Sequence, residues 1–433
     1  MIRKIIHTLS FCSLLSLTNN ITTQLESTIN LDEIEKNPYT GITINAPAIM
    51  ISYNTDNNNM LLYNSLITNL EKGKQIKTIH NIIDNKKELF YYLEKKNIQF
   101  HIEFKMKDGK LIWKLYNVFE KKFIQGKAYE YKPISESLLV RTVLIDVWKA
   151  LFGDEITPFQ CFLVYLDTTP HPDKNEYQTT INFKHPFLSD FNKQLLKTRN
   201  NISDLSILQS HPLQSILFVM QNNEFMELTK LNSFGQLQVI GRTKTTLSSP
   251  TANEAGLFYI DNRCLYRHYF NKKEKKYKKE KIDRNNDYAS VYSITNENKI
   301  LASRNKKIYE ISYELNENNE IIIKKAKKIT EDSCISMNMT YDQNEKKIIV
   351  SQKINGHYQL AMYDQFNNKK IILTDSPYHK QDPAMSPCGN YIAYVAQNHF
   401  GERTIEVINR YSGDIIIVTN EPSEYRFPSW IVR

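Results

Sequence analysis

Asp382-Pro-Ala-Met-Ser-Pro-Cys-Gly-Asn-Tyr-Ile-Ala-Tyr-Val395 is followed by Ile405-Glu-Val-Ile-Asn409 and Ile415-Ile-Ile-Val-Thr419. A turn rich in Pro, Gly and Asn leads into a β-rich run, read as the inner strand of its unit, and two more strands follow across polar turns. The segment before it has the same plan: Asp342-Gln-Asn-Glu-Lys-Lys-Ile-Ile-Val350, Tyr358-Gln-Leu-Ala-Met-Tyr363 and Lys370-Ile-Ile-Leu-Thr374, displaced by 44–45 residues. Pro250 to Gly256 repeats the spacing of Pro383 to Gly389, ahead of Leu257-Phe-Tyr-Ile260. Taking Leu163, Leu217, Phe258, Leu301, Ile349 and Ile392 as equivalent gives intervals of 54, 41, 43, 48 and 43 residues. Six copies of a three- or four-stranded unit near 45 residues predict a six-bladed β-propeller over 156–433. One small sheet cannot bury both its faces, whereas six stacked around an axis can. Arg426-Phe-Pro-Ser-Trp430 resembles the lead-in Asp382-Pro-Ala-Met385 but has no full strand after it, and the first copy lacks a lead-in before Phe162. The chain end is therefore expected to complete the first blade and close the ring.

Upstream, residues 41–155 predict a small α/β domain. Gly41-Ile-Thr-Ile-Asn-Ala-Pro47 alternates like a strand. Met60–Leu70 and Lys86–Lys96 carry apolar residues at helical spacing. Ile98–Met106, Leu111–Phe119 and Phe123–Tyr131 form a meander whose first turn is Lys107-Asp-Gly-Lys110. The strongest helix is Ser135–Phe152. Ser135 can cap it, Gly153 can end it, and Leu139, Val143, Val147 and Leu151 form its buried stripe. The fold class is thus a small N-terminal α/β domain followed by an all-β six-bladed propeller.

Composition excludes several chemistries. Glycine numbers 12 in 433 residues, and the closest pair, Gly235 and Gly241, is six apart. Dinucleotide and nucleoside-triphosphate phosphate loops and the G-x-S-x-G elbow all need closer spacing. The ten histidines are too far apart for H-E-x-x-H. No C-x-x-C occurs, and Cys161, Cys264, Cys334 and Cys388 are compatible with disulfides or with buried thiols. Asp342 and Asp382 fall at comparable blade positions and are expected to cap turns rather than bind metal. Lys272-Lys-Glu-Lys-Lys-Tyr-Lys-Lys-Glu-Lys281 dominates the formal charge of +9 and predicts a solvated hairpin in the third blade, not a nucleic-acid site. No catalytic, cofactor or metal residue is assigned.

At the N-terminus, Arg3 and Lys4 precede a mostly apolar run from Ile5 to Leu17. This fits an export signal over 1–23, and it is too short to span a bilayer, which takes about 20 apolar residues. No later run is long enough for a membrane span. A tail over 24–40 would follow the signal.

Pro383-Ala-Met-Ser-Pro-Cys-Gly389 with Ile392-Ala-Tyr394 is similar to the P-x-W-S-P-D-G-x-x-I-A-Y blades of the TolB family, with Met385 for Trp and Cys388 for Asp. Phe427-Pro-Ser-Trp430 resembles the family's C-terminus. Ile124-Gln-Gly-Lys-Ala-Tyr129, the helix ending Trp148-Lys-Ala-Leu-Phe-Gly153, and Phe159–Tyr165 resemble its domain junction, although Arg141 stands about where the family has His. The resemblance implies a non-enzymatic, monomeric periplasmic protein of the Tol-Pal system. Its propeller would bind the peptidoglycan-associated lipoprotein Pal, and its tail a TolA-like protein, in support of outer-membrane integrity and cell division. Glu26-Ser-Thr-Ile-Asn-Leu-Asp32 resembles that tail, which makes Glu26, Ile29, Leu31 and Asp32 the implied partner-binding residues; a disordered spacer fits the same stretch. Two other functions remain compatible with a propeller: a hydrolase or lactonase with a channel metal, and an envelope carbohydrate-binding module.

Overall fold

The computed structural model describes residues 48–433 except 55–59, 73–76, 81–85, 133–135, 171–176, 209–214, 272, 284–286, 295–296, 331–333, 343–344, 367–368, 420 and 422. The signal, the tail, the strand expected at 41–47 and the cap expected at Ser135 lie outside the described residues. The chain divides into two compact units after Gln160, five residues beyond the boundary expected from sequence.

The first unit contains β1 (Ala48–Asn54), α1 (Met60–Lys72), β2 (Lys77–His80), α2 (Lys86–Lys95), β3 (Phe100–Lys107), β4 (Lys110–Asn117), β5 (Lys122–Glu130) and α3 (Glu136–Phe152). The sheet order is β2-β1-β3-β4-β5. β1 pairs in parallel with β2 and β3, and the β3-β4-β5 meander is antiparallel. Asp108 and Gly109 turn β3 into β4 with φ of 51° and 70°, as a tight hairpin of this sequence requires. The predicted stripe on α3 is buried, and its last turn places Trp148 Nε1 3.1 Å from Asp154 Oδ2. β1 does not alternate with period two, because Ile49, Met50 and Ile51 are all buried. A parallel strand covered on both faces has no reason to alternate.

Among the described residues the second unit contains six four-stranded sheets. Sheet 1 has β6 (Cys161–Pro170), β7 (Tyr177–Lys184) and β8 (Asn192–Thr198). Sheet 2 has β9 (Ile202–Leu208), β10 (Ser215–Asn222), β11 (Phe225–Leu231) and β12 (Leu237–Thr243). Sheet 3 has β13 (Leu247–Asn253), β14 (Gly256–Asp261), β15 (Cys264–Asn271) and β16 (Lys276–Lys281). Sheet 4 has β17 (Tyr288–Ile294), β18 (Lys299–Arg304), β19 (Lys307–Leu315) and β20 (Ile321–Lys328). Sheet 5 has β21 (Cys334–Asp342), β22 (Lys347–Ile354), β23 (His357–Asp364) and β24 (Lys369–Ile372). Sheet 6 has β25 (His379–Met385), β26 (Tyr391–Gln397), β27 (Arg403–Asn409) and β28 (Ile415–Ile417). The fourth strand of sheet 1 is the chain's last, β29 (Glu424–Val432), which pairs antiparallel with β6. β9, β13, β17, β21, β25 and β29 touch one another in cyclic order, β29 returning to β9. The arrangement is propeller-like.

Two expectations need correction. The strands marked by Leu163, Leu217, Phe258, Leu301, Ile349 and Ile392 were expected to be innermost, but each is the second strand of its sheet. The innermost strands come from the stretches expected to be turns, including Asp382–Met385 and Arg426–Trp430. Asp342 and Asp382 are also not equivalent, because Thr340 pairs with Ile349 as Met385 pairs with Ile392. Asp342 therefore lies two residues after Thr340, whereas Asp382 lies three residues before Met385. Asp342 does cap its turn, accepting the Glu345 N–H at 3.4 Å.

Apolar packing between neighbouring sheets supplies most of the core, as where Phe258, Ile260 and Leu265 meet Val291, Ile300 and Ile311. Buried charges join sheets as well. Arg267, fully buried on β15, donates to the Asn319 carbonyl of sheet 4 at 2.7 Å and to Glu280 at 3.1 Å. Arg410, just past β27, pairs with Asp342 and Glu345 of sheet 5. Arg410 and Asp342 are 8 % and 2 % exposed. Losing one partner would strand a buried charge. Arg410→Met should therefore cost about 3–5 kcal/mol in urea unfolding, while Lys325→Ala on the exposed edge should stay within about 0.5 kcal/mol. Equal effects would remove the intersheet role of this pair.

Candidate functional site: the ring of inner strands

A cavity of about 100 Å³ opens where the six first strands meet, with room for about three water molecules. Register explains its lining. Leu163, Leu217, Phe258, Leu301, Ile349 and Ile392 pair with Trp430, Ser206, Thr251, Tyr292, Thr340 and Met385 respectively. All six partners line the cavity. Thus the apolar repeat legible in the sequence sits one strand outside the residues that form the site.

These residues also join adjacent strands. Trp430 Nε1 donates to the Ala384 carbonyl at 2.9 Å, and Met385 N–H donates to Thr340 Oγ1 at 3.1 Å. Tyr292 hydrogen-bonds to Thr340, and Thr251 Oγ1 lies 2.8 Å from Ser293 Oγ. Ser206 Oγ donates to the Pro250 carbonyl. Ser290, 1 % exposed, also lines this cavity, and its buried Oγ has no hydrogen-bond partner in the protein.

The inner strands are irregular for a local reason. Ser249, Asp382 and Phe427 have φ of 49°, 51° and 51°, and each precedes a proline: Pro250, Pro383 and Pro428. The ladder shifts register at each of these places. Such residues are held in place only by surrounding bonds. Two of those bonds are carboxylates reaching 45 residues along the chain. Asp204 Oδ2 accepts the Ser249 N–H at 2.5 Å, and Asp382 Oδ2 accepts the Phe427 N–H at 3.5 Å. The 45-residue interval from Asp204 to Ser249 and from Asp382 to Phe427 was available in the sequence, but it joins unlike residues and so matches no simple motif.

Asp204 is 5 % exposed. Burial pushes its pKa up to about 7, and the charge of Asp382 adds to the rise; the N–H groups of Ser249 and Leu205 oppose it. Its folded pKa therefore lies above its unfolded value near 3.8, so between these limits the native state holds the extra proton.

Glu26, Ile29, Leu31 and Asp32 lie outside the described residues, so they are not brought to any site here. Ser52 Oγ lies 2.7 Å from His101 Nε2. His101 is 3 % exposed within the first unit's sheet, stacked on Tyr116 and edged by Phe90, so this serine–histidine contact is part of a packed interior. Among the described residues no three His, Cys, Asp or Glu side chains converge as metal ligands. Arg141, at the family's His position, donates from Nε to the Phe159 carbonyl at 2.9 Å. Residues 273–281 of the lysine run supply the turn after β15 and strand β16, which lies at the sheet's outer edge.

The Asp204 geometry sets a pH dependence. Wild-type stability should fall as pH rises from about 4 to about 7 relative to Asp204→Asn, each pH unit being worth at most about 1.4 kcal/mol. Parallel curves of unfolding free energy against pH for the two proteins would contradict it.

No family model matches this chain, and no curated protein matches it. Among solved structures, TolB from Acinetobacter baumannii superimposes with a TM-score of 0.71, covering 89 % of this chain and 96 % of that one at 17 % identity. A candidate TolB from Agrobacterium tumefaciens gives a TM-score of 0.34, with 15 % identity over 43 % of this chain and 66 % of that one. A candidate 6-phosphogluconolactonase from Bacteroides uniformis gives 0.39, with 9 % identity over 61 % and 84 %. The last two are too distant to argue from. At this identity the first likeness speaks to fold alone, and by fold the chain is TolB-like.

Proposed function

We propose that this protein is a six-bladed propeller scaffold of the cell envelope, working as a TolB-like component of a Tol-Pal system. In this assignment residues 1–23 are the export signal, 24–40 the tail, 41–155 the α/β domain and 156–433 the propeller. The protein acts in the periplasm as a monomer. Its propeller binds the peptidoglycan-associated lipoprotein, and its tail engages a TolA-like protein through Glu26, Ile29, Leu31 and Asp32. No catalytic role is assigned.

One observation supports this most: the fold likeness to TolB extends over 89 % of this chain and 96 % of the other, so both units are included. The closed ring of first strands is consistent with it, since a rigid ring presents fixed loops to a partner without needing chemistry at its centre. Among the described residues no helix is long and apolar enough to cross a membrane.

Capture of the two partners from the same cell tests the assignment. The full chain should retain both the lipoprotein and the TolA-like protein. Replacing Glu26, Ile29, Leu31 and Asp32 by Ala should weaken TolA-like capture at least about tenfold, the size expected when anchor residues are lost, and leave lipoprotein capture intact. Failure of the unaltered chain to retain either partner would overturn the proposal.

A further inference from the structure

Edge strands discourage pairing with other chains by charged side chains, lysine above all, or by being very short. Four of the six outer strands use little charge: β8 has Lys193 and Lys197, β12 has Arg242, β24 has Lys369 and Lys370, and β28 is three residues long with none. The other two carry four lysines each. β16 carries Lys276, Lys278, Lys279 and Lys281; β20 carries Lys324, Lys325, Lys327 and Lys328. β16 and β20 belong to successive sheets and are tied together: Glu280 Oε1 accepts the Ile321 N–H at 2.9 Å, and Lys273 Nζ donates to Asn318 Oδ1 at 3.2 Å. Two stretches some 45 residues apart thus combine into one basic edge.

Part of this charge is balanced within the protein. Glu274 pairs with Lys276 and Lys278, Asp261 with Lys279 at 2.6 Å, and Glu314 with Lys324 at 2.7 Å. Lys275, Lys325 and Lys327 are exposed. Large apolar side chains are interleaved with them: Phe270, Tyr277 and Ile322 are 45 %, 68 % and 47 % exposed. The Phe270 and Tyr277 rings pack edge-on, 5.2 Å apart.

We propose that this outer edge of sheets 3 and 4 docks on the anionic surface of a phospholipid bilayer. Lysines near such a surface are attracted cooperatively, and exposed aromatic and aliphatic groups enter the headgroup layer. A lipid surface fits better than nucleic acid for two reasons. The apolar groups include the aliphatic Ile322, which offers no stacking platform, and the charge lies along an outer sheet edge rather than in a groove that could track a phosphate chain.

Flotation of the full chain with vesicles tests this. The protein should float with phosphatidylcholine vesicles containing phosphatidylglycerol and not with phosphatidylcholine alone. Raising NaCl from about 0.1 M to about 1 M, which shortens the screening length from about 10 to about 3 Å, should release it. The triple variant K275E/K325E/K327E, with an unchanged melting curve, should bind at least about tenfold more weakly. A Tyr277→Ala, Ile322→Ala variant should weaken binding while leaving its salt dependence in place. Equal binding to neutral vesicles, full binding by the triple variant, or retention of a DNA duplex with no vesicle binding would each overturn the proposal.

Discussion

The pairing of β29 with β6 is the constraint on which the second unit depends. Without it, sheet 1 would lack its first strand and the cyclic contact of β9, β13, β17, β21, β25 and β29 would break between β25 and β9. The ladder runs from Glu424 opposite Thr168 to Val432 opposite Cys161, interrupted once between Arg426 and Ser429. That interruption is where Phe427 takes its left-handed conformation before Pro428. Closure and local strain are therefore the same piece of chain, and the Asp382 carboxylate from the neighbouring sheet holds it. Trp430 adds the second hold through its bond to Ala384.

The same device ties neighbouring inner strands together. Three inner strands, β13, β25 and β29, are irregular by themselves: proline removes a donor, and a left-handed residue breaks the pleat. What the strand loses within its own sheet is replaced by bonds from the next. Asp204 to Ser249, Thr251 to Ser293, and Thr340 to Met385 are all links of this kind. Further out, apolar faces and buried pairs such as Arg410 with Asp342 join the sheets. Stability is consequently shared among sheets, and no sheet is expected to persist alone.

Much of this was legible in the sequence, but unevenly. The 45-residue period showed itself through Leu163, Leu217, Phe258, Leu301, Ile349 and Ile392, because a second strand packed on both faces must be apolar at fixed intervals. The first strands were hidden. Ser206, Thr251, Tyr292, Thr340, Met385 and Trp430 share a place in the ring but no side-chain type. Ser249-Pro250 and Asp382-Pro383 have the composition of turns, and their strand character comes only from tertiary pairing. In the first unit, α3 declared itself through Leu139, Val143, Val147 and Leu151, whereas β1 did not alternate. The basic edge of sheets 3 and 4 was half visible: the run at 272–281 stands out, but only the fold sets Lys324, Lys325, Lys327 and Lys328 beside it.

Native-state hydrogen exchange at the backbone amides of β29 and β6 tests ring closure most directly. If the last strand closes the ring, the hydrogen-bonded amides of both strands should exchange only with the free energy of global unfolding, like those of β26 in the neighbouring sheet. Exchange of β29 through a low-energy local opening, with β6 still protected, would show that the chain end is an appendage and contradict the account.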